Sequence, residues 1–268
     1  MNKYNKNLRE YLQQNHNKLT WENKIKIIND ITISLRNIHE ENAIHRDLHS
    51  GNILYNQSKQ RFCISDLGFC GPADKPLNSI YGNLPYIAPE VIRKGYTFAT
   101  DIYSIGMLMW EISSGQPPFI NYENDHDLDS FDQMNYDYNL AMKIINGPKI
   151  VSGTPLEYRK LMKQCWNADP TKRPNINKNK SMIKKLIKKI KKITTSEQTN
   201  DISSIKSNYT STSRLFTSKV YQFTNLPEPR NATEEEQEVF HSNPYSFNIP
   251  FNIDDLNGQN DDNTSKVM

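Results

Sequence analysis

The sequence predicts a mainly α-helical domain that carries a small β-hairpin and is followed by a disordered tail. Residues 21–38 place apolar side chains at spacings of three and four, and residues 102–112 are almost continuously apolar, which together indicate two long helices. From residue 196 onward Ser, Thr and Asn dominate, and the apolar clusters are too small to form a core. We therefore divide the chain into a domain at residues 1–195 and a tail at residues 196–268.

Composition excludes several classes of protein. The formal net charge of +3 is too small to predict nucleic-acid binding. The three cysteines are an odd number without C-x-x-C spacing, which favours reduced thiols in an intracellular protein over a disulfide framework. The N-terminal residues are polar, and no run of about 18 or more apolar residues occurs, so we expect neither a signal peptide nor a membrane span. We expect a cytoplasmic protein, with the nucleus as the alternative location.

The first half of the domain is predicted to contain two helices and a hairpin. A short helix is expected at residues 8–14, and Thr20 is a candidate N-cap for the long amphipathic helix that follows. Residues 53–55 and 61–64 are short apolar runs on either side of a polar turn, a pattern typical of a β-hairpin. Such a hairpin would hold the residues before and after it on either side of one cleft.

Three short motifs in this chain carry most of the chemical information. They are His45-Arg46-Asp47-Leu48 with Asn52 four residues later, then Asp66-Leu67-Gly68, then Ala88-Pro89-Glu90. In this order and at these intervals they resemble the H-R-D-L-x-x-x-N, D-F-G and A-P-E motifs of eukaryotic protein kinases. Residues 165–174 also match a C-W-x-x-D-P-x-x-R-P pattern of the family. The chain therefore resembles the large, C-terminal lobe of a tyrosine-kinase-like Ser/Thr kinase.

The resemblance implies a role in phosphoryl transfer for the polar residues around the hairpin. Asp47 would orient a substrate hydroxyl and accept its proton, while Asn52 and Asp66 would hold Mg²⁺, a hard cation that prefers oxygen ligands. Leu54 would form an apolar floor beneath the adenine of ATP. A site of this kind works by positioning reactants and neutralising charge, with little covalent chemistry from the protein.

Two further residues of the first motif region have implied catalytic roles. Arg46 would pair with a negative group in the segment that follows, where Ser79 and Tyr81 are the candidate phosphorylation sites. The alternative is that these two hydroxyls only face solvent or pack. His49 stands where Ser/Thr kinases usually have Lys, and Asn83 where they usually have Thr, so a hydrogen bond between these two side chains could replace the family's contact.

Four residues have implied structural roles: His45, Glu90, Asp101 and Arg173. Asp101 would brace the loop that contains His45. Arg173 would form a buried ion pair with Glu90, and the loss of one partner of such a pair typically costs about 3–5 kcal/mol.

Two charged segments could either be solvated or bind a partner. The acidic residues 120–137 are expected to form a solvated loop, with a docking site for basic substrates as the alternative. The lysines of residues 178–192 are expected to form the solvated face of an amphipathic helix, with weak contact to an anionic surface as the alternative.

No glycine precedes Gly51, and no Val-Ala-Ile-Lys-like strand is present. By the resemblance, these features would cover and position the phosphates of ATP, so we expect an isolated large lobe with little or no kinase activity. Two functions remain open: transfer of the ATP γ-phosphate to Ser or Thr hydroxyls of protein substrates, or a non-catalytic, pseudokinase-like binding module or fragment of a truncated gene model.

Overall fold

The computed structural model describes most of the predicted domain and a small part of the predicted tail. The described residues are 4–72, 80–119, 140, 141, 144, 150–194, 218–221, 223, 227–231 and 233. Numbered in chain order, the helices are α1 (Leu8–Asn15), α2 (Trp21–Glu40), α3 (Val91–Lys94), α4 (Phe98–Ser114), α5 (Leu156–Cys165) and α6 (Ile176–Thr194). The strands are β1 (Tyr4–Asn7), β2 (Ala43–Ile44), β3 (Ile53–Asn56), β4 (Arg61–Ile64), β5 (Gly71–Pro72), β6 (Ile80–Gly82) and β7 (Lys219–Tyr221). The predicted mainly helical fold with a small hairpin is confirmed.

Helix α2 precedes the candidate site in the chain, and its N-cap and apolar face explain why it forms. The Thr20 side chain accepts a hydrogen bond from the backbone N–H of Asn23 at 3.2 Å, which satisfies one of the free donors of the first turn. The apolar face includes Ile25, Ile28 and Leu35, which are fully buried. The helix packs against α4, α6 and β4, so tertiary burial holds a helix that the sequence pattern predicts.

Helix α4 lies at the centre of the fold. Nearly all of its side chains are buried, as expected of a helix that is apolar on most faces. At Gly106 it passes so close to the end of α5 that a Cβ would lie 3.0 Å from the Cβ of Cys165 and 3.1 Å from the backbone nitrogen of Trp166. Gly115 caps the helix after Ser114, and its φ of +78° is a left-handed conformation that glycine adopts without strain.

The predicted hairpin is one part of a three-stranded sheet. Strands β3 and β4 pair in antiparallel register, with Ile53 opposite Ile64 and Asn56 opposite Arg61. Strand β1 adds to the other edge of β3, which gives the order β1-β3-β4, and the sequence did not predict this third strand. Two further pairs are small: β2 with β5, and β6 with β7.

The pairing of β6 with β7 joins the domain to the region predicted to be a disordered tail. Lys219 lies opposite Gly82 and Tyr221 lies opposite Ile80 in an antiparallel ladder. Tyr221 is buried in the core, with 6% of its surface exposed. Residues 218–221 are therefore ordered against the domain, although their composition predicted no strand.

The charged segments are only partly described. Lys178, Lys184, Lys185 and Lys188 of α6 are exposed, while Ile183 on the other face is fully buried. The acidic residues 120–137 and Ser79 lie outside the described residues. Within the part of the chain that is described, no helix is long and apolar enough to cross a membrane.

Candidate active site

The candidate site is built on the loop of residues 45–52, called here the catalytic loop, which follows β2. Asp101, at the start of α4, holds the backbone at the beginning of this loop. Its Oδ2 accepts a hydrogen bond from the His45 N–H at 2.8 Å, and its Oδ1 accepts one from the Arg46 N–H at 3.0 Å. His39 Nε2 lies 2.8 Å from the same carboxylate, which is only 1% exposed. These contacts fix the backbone immediately before Asp47.

His45 connects the catalytic loop to the segment that leads to Asp66. Its Nδ1 accepts a hydrogen bond from the Asp47 N–H at 3.3 Å, so the ring proton lies on Nε2, which donates to the carbonyl of Ser65 at 3.1 Å. The ring is completely buried. The buried His45 ring therefore links the backbone at Asp47 to the carbonyl of Ser65, the residue before Asp66.

A buried polar network supports the catalytic loop from the core side, and sequence reasoning missed it. The Tyr86 hydroxyl donates to Glu111 Oε2 at 2.7 Å and lies 3.3 Å from the Ser50 hydroxyl. Burial raises the pKa of the Glu111 carboxyl, with partial compensation from Arg9 and the Tyr86 hydroxyl. A Glu within an almost wholly apolar helix was the available signal, because an acidic residue is rarely buried without a partner.

Asp47 lies at the centre of the site, with 4% of its surface exposed. Its Oδ1 accepts hydrogen bonds from the backbone N–H of Asn83 at 3.1 Å and from the hydroxyl of Ser218 at 3.0 Å. Burial raises the pKa of the Asp47 carboxyl, but the neighbouring His49 ring, the Ser218 hydroxyl and the Asn83 N–H lower it more. The net effect is a pKa below the usual value, so Asp47 is an ionised hydrogen-bond acceptor at neutral pH.

His49 faces the same carboxylate. Its Nδ1 accepts a hydrogen bond from the Gly51 N–H at 3.1 Å, which places the ring proton on Nε2 in the neutral form. That Nε2 lies 3.3 Å from the Ser218 hydroxyl and 3.7 Å from Asp47 Oδ2. His49 thus presents an N–H beside the position of a hydroxyl bound to Asp47.

The hydrogen bond considered between His49 and Asn83 is absent from the described structure. The Asn83 side chain is buried, and within the described part of the chain neither its Nδ2 nor its Oδ1 has a hydrogen-bond partner. Asn83 instead contributes its backbone N–H to Asp47, because it directly precedes the 3-10 turn Leu84–Tyr86. The expectation was wrong because the backbone of this residue, and not its side chain, faces the catalytic loop.

Asn52 and Asp66 are the residues with suitable oxygen atoms for Mg²⁺. Asn52 donates through Nδ2 to the Asp47 carbonyl at 3.0 Å and to Asp47 Oδ2 at 3.4 Å, which leaves its amide oxygen as the donor atom for a cation. Asp66 is exposed, has a φ of +56°, and accepts a weak hydrogen bond from the Gly68 N–H at 3.4 Å. An amide oxygen and an exposed carboxylate fit the oxygen chemistry of Mg²⁺.

Arg46 adopts a left-handed backbone, with a φ of +72°, and points into the segment after Asp66. Its guanidinium donates to the carbonyls of Phe69 at 3.4 Å and Pro72 at 3.0 Å. A Cβ at Gly71 would lie 2.7 Å from Nη1, so the guanidinium passes close to the backbone of strand β5. The described contacts of Arg46 thus run to backbone carbonyls at the start of the segment.

Tyr81 and Leu54 lie at the margins of the site. The Tyr81 ring stacks on Phe69, with ring centroids 3.6 Å apart. Burial, together with the negative charge of Asp47 and Asp66, raises the pKa of the Tyr81 hydroxyl. Leu54 is half-buried in β3, in the central strand of the three-stranded sheet.

Glu90 and Arg173 form a buried ion pair behind the site. Arg173 Nη1 lies 2.6 Å from Glu90 Oε1 and Nη2 lies 2.8 Å from Oε2, a bidentate geometry. The guanidinium also donates to the carbonyls of Ala99 at 3.0 Å and Asn167 at 2.7 Å. The pair ties the end of the segment that carries Asn83 to the C-terminal part of the domain.

Comparison with known proteins defines the class to which this fold and site belong. The family model described as "Protein kinase domain" matches residues 1–183. The chain belongs to the protein kinase family.

The individual relatives share about a third of their aligned residues with this chain. A "Dual serine/threonine and tyrosine protein kinase" of Xenopus laevis is 32% identical over 158 residues, which is 58% of this chain and 16% of the relative. The protein of the same name in Mus musculus is 30% identical over 184 residues, which is 68% of this chain and 19% of the relative. A protein of Acanthamoeba polyphaga mimivirus, named as a candidate serine/threonine-protein kinase/receptor, is 34% identical over 164 residues, 58% of this chain and 9% of the relative. The chain thus spans less than a fifth of the length of these relatives.

Proposed function

We propose that this chain carries the acceptor and metal side of a protein kinase active site, which transfers the γ-phosphate of ATP to Ser or Thr hydroxyls of proteins. The observation that carries the proposal is the hydrogen bond from a serine hydroxyl to Asp47 Oδ1 at 3.0 Å. A general base must lie within hydrogen-bond reach of the proton that it removes, and Asp47 meets this requirement.

The residues around Asp47 have different roles in the proposed phosphoryl transfer. Asp47 accepts the hydroxyl proton while the hydroxyl oxygen attacks the γ-phosphorus, and the N–H groups of Asn83 and His49 keep the carboxylate and the hydroxyl in place. Asn52 and Asp66 would hold Mg²⁺, which would supply charge neutralisation for the phosphates of ATP. Leu54 would contact the adenine.

The reach of the acceptor side chain supports Ser or Thr over Tyr. The backbone beside Ser218 is paired with β6, with Lys219 opposite Gly82, and from this position a short side chain reaches Asp47. A tyrosine hydroxyl lies several ångströms farther from its own backbone, so a tyrosine in the same ladder would overshoot the carboxylate. Proteins with exposed Ser or Thr residues are therefore the proposed substrates.

Free cysteines support a reducing compartment, the cytoplasm or the nucleus.

A second candidate function is a non-catalytic binding module. It is favoured by one sequence observation, which is that none of the first 50 residues is glycine, so no Gly-rich loop precedes the catalytic loop in these 268 residues. We therefore expect the chain alone to transfer phosphate slowly.

Radiolabelled ATP with Mg²⁺ and a mixture of Ser, Thr and Tyr peptides distinguishes the two functions. The kinase proposal predicts slow transfer to Ser or Thr peptides that falls by roughly 100-fold or more in Asp47→Asn, since general-base catalysis contributes about 10²–10⁴-fold. Glu40→Gln is the matched control, because it neutralises a half-exposed carboxylate at the end of α2. Transfer that is undetectable, or equal in Asp47→Asn, would support the binding module instead.

A further inference from the structure

Strand β7 lies beside the candidate site, because Ser218 directly before it donates a hydrogen bond to Asp47. It pairs antiparallel with β6, which immediately precedes Asn83 and its hydrogen bond to Asp47. Addition of an extended segment to a free strand edge is a common mode of peptide recognition, in which backbone hydrogen bonds give affinity and alternate side chains give specificity. The segment of residues 218–221, called here the tail strand, is bound in this way by its own chain.

Ser218 occupies the position of a reacting hydroxyl. Its Oγ donates to Asp47 Oδ1 at 3.0 Å and lies 3.3 Å from His49 Nε2. In the first contact the hydroxyl proton points at the Asp47 carboxylate. In the second the hydroxyl oxygen can accept the His49 N–H, so both partners orient the hydroxyl. A structural serine needs neither contact, because its hydroxyl could be satisfied by water at this half-exposed position.

The side chains of the tail strand differ in how far they are buried against the domain. Tyr221 is only 6% exposed and belongs to the core, whereas Val220 is 55% exposed. The Lys219 ammonium lies 5.1 Å from the centre of the Tyr221 ring, and the Phe223 ring stacks on it at 5.8 Å. Tyr221 is therefore the anchor that places Ser218, three residues earlier, against Asp47.

We propose that the tail strand occupies the acceptor-peptide site in cis, as a built-in substrate with Ser218 at the acceptor position. This inference rests on the proposed function for its chemistry, but the occupancy of the site does not. In the transfer step the Ser218 oxygen forms a bond to the γ-phosphorus of ATP, and the bond from that phosphorus to the β–γ bridging oxygen breaks. The hydroxyl proton passes to Asp47, and ADP leaves with the electron pair of the broken bond.

Two consequences follow from this placement. A protein substrate must displace the tail strand, and the strand has the advantage of a high local concentration because it is part of the same chain. A phosphate on Ser218 would bring a charge of about −1.5 to −2 next to the Asp47 carboxylate, so the phosphorylated strand leaves the site by like-charge repulsion. The substrate class that the site fits is a peptide with Ser followed by an aromatic residue three positions later.

Binding of a fluorescent peptide with the sequence of residues 214–225 tests the occupancy without any turnover. Tyr221→Ala in the full chain removes the anchor, and we expect this variant to bind the peptide at least tenfold more tightly than the wild type. Val220→Ala is the matched control, because it changes the exposed side of the same strand and leaves the wild-type affinity. Ser218→Asp is a second variant that frees the site by charge repulsion, and it should behave like Tyr221→Ala. Equal affinity of the peptide for the wild type and both of these variants would overturn the proposal.

Mapping of phosphate by mass spectrometry separates this inference from the proposed function. Where the full chain transfers phosphate with Mg²⁺ and ATP, Ser218 should be labelled at a rate per molecule that is independent of protein concentration. Transfer that spares Ser218, or labels it in proportion to protein concentration, contradicts the in-cis placement while leaving the proposed function in force. A tenfold difference in peptide affinity without any phosphate transfer supports the placement and contradicts the proposed function.

Discussion

Substitution of Glu90 by Gln tests the buried ion pair that holds the end of the candidate site. The amide has the shape of the carboxylate but no charge, so the Arg173 guanidinium would stay buried without its counter-ion. Removal of one partner of a buried pair typically costs about 3–5 kcal/mol. Because two hydrogen bonds from Arg173 to the carbonyls of Ala99 and Asn167 remain, we expect the lower end, a loss of about 3 kcal/mol in the free energy of unfolding.

Urea unfolding followed by tryptophan fluorescence measures this loss, and Trp110 and Trp166 report from within the domain. A loss of about 3 kcal/mol corresponds to a lower melting temperature by about 6–12 °C for a domain of this size. Lys172→Ala is the matched control, because Lys172 and Asp169 form an exposed pair at 3.6 Å that should contribute less than about 1 kcal/mol.

The double variant Glu90→Gln with Arg173→Met removes both charges and isolates the penalty of the unpaired cation. The double variant should lose less free energy of unfolding than the two single variants lose together. In each single variant one charged partner stays buried alone, whereas the double variant has no such charge. A loss in Glu90→Gln no larger than that of the Lys172→Ala control, or strict additivity in the double variant, would refute the argument that this pair is energetically coupled.

Two further predictions concern packing and buried charge. Gly106→Ala should lower the free energy of unfolding by about 1–3 kcal/mol, because its Cβ would press on Cys165 and force α4 and α5 apart, and any gain in stability would contradict the close approach. Burial lowers the pKa of Lys24 from 10.5 to about 8. Between these two pH values the unfolded chain keeps a proton on Lys24 that the folded chain has lost. The free energy by which Lys24 destabilises the folded chain therefore becomes smaller as the pH rises. The stability of Lys24→Met relative to the wild type should therefore fall from pH 8 to pH 10 in urea titrations, and a constant difference would count against a buried ammonium.

Local patterns predicted the elements that local forces determine. Helix α2 begins after Thr20 and has a long apolar stripe, so its start and its buried side follow from its cap and its periodicity. The β3–β4 hairpin likewise has two apolar runs around a polar turn. The motifs around Asp47 named the residues that meet in the site, since their types and intervals are specific.

Contacts between distant parts of the chain were not predictable in the same way. Strand β7 has three residues and lies far along the chain from β6, and so short a segment has no periodicity of its own. The side-chain partner expected for Asn83 was wrong because the direction of its backbone N–H depends on the turn that follows. The intervals between motifs indicate which residues lie close together in the site. The direction of a single backbone N–H can be known only once the backbone conformation is known.

We propose Asp47 as the base of a phosphoryl-transfer site. The most direct test is the rate of phosphate transfer from ATP to Ser and Thr peptides by the full chain with Mg²⁺, compared between the wild type and Asp47→Asn. We expect slow but measurable transfer by the wild type and a loss of about 100-fold or more in the variant. Equal rates in the two proteins would contradict it, because the carboxylate that accepts the serine hydroxyl would then have no part in the chemistry.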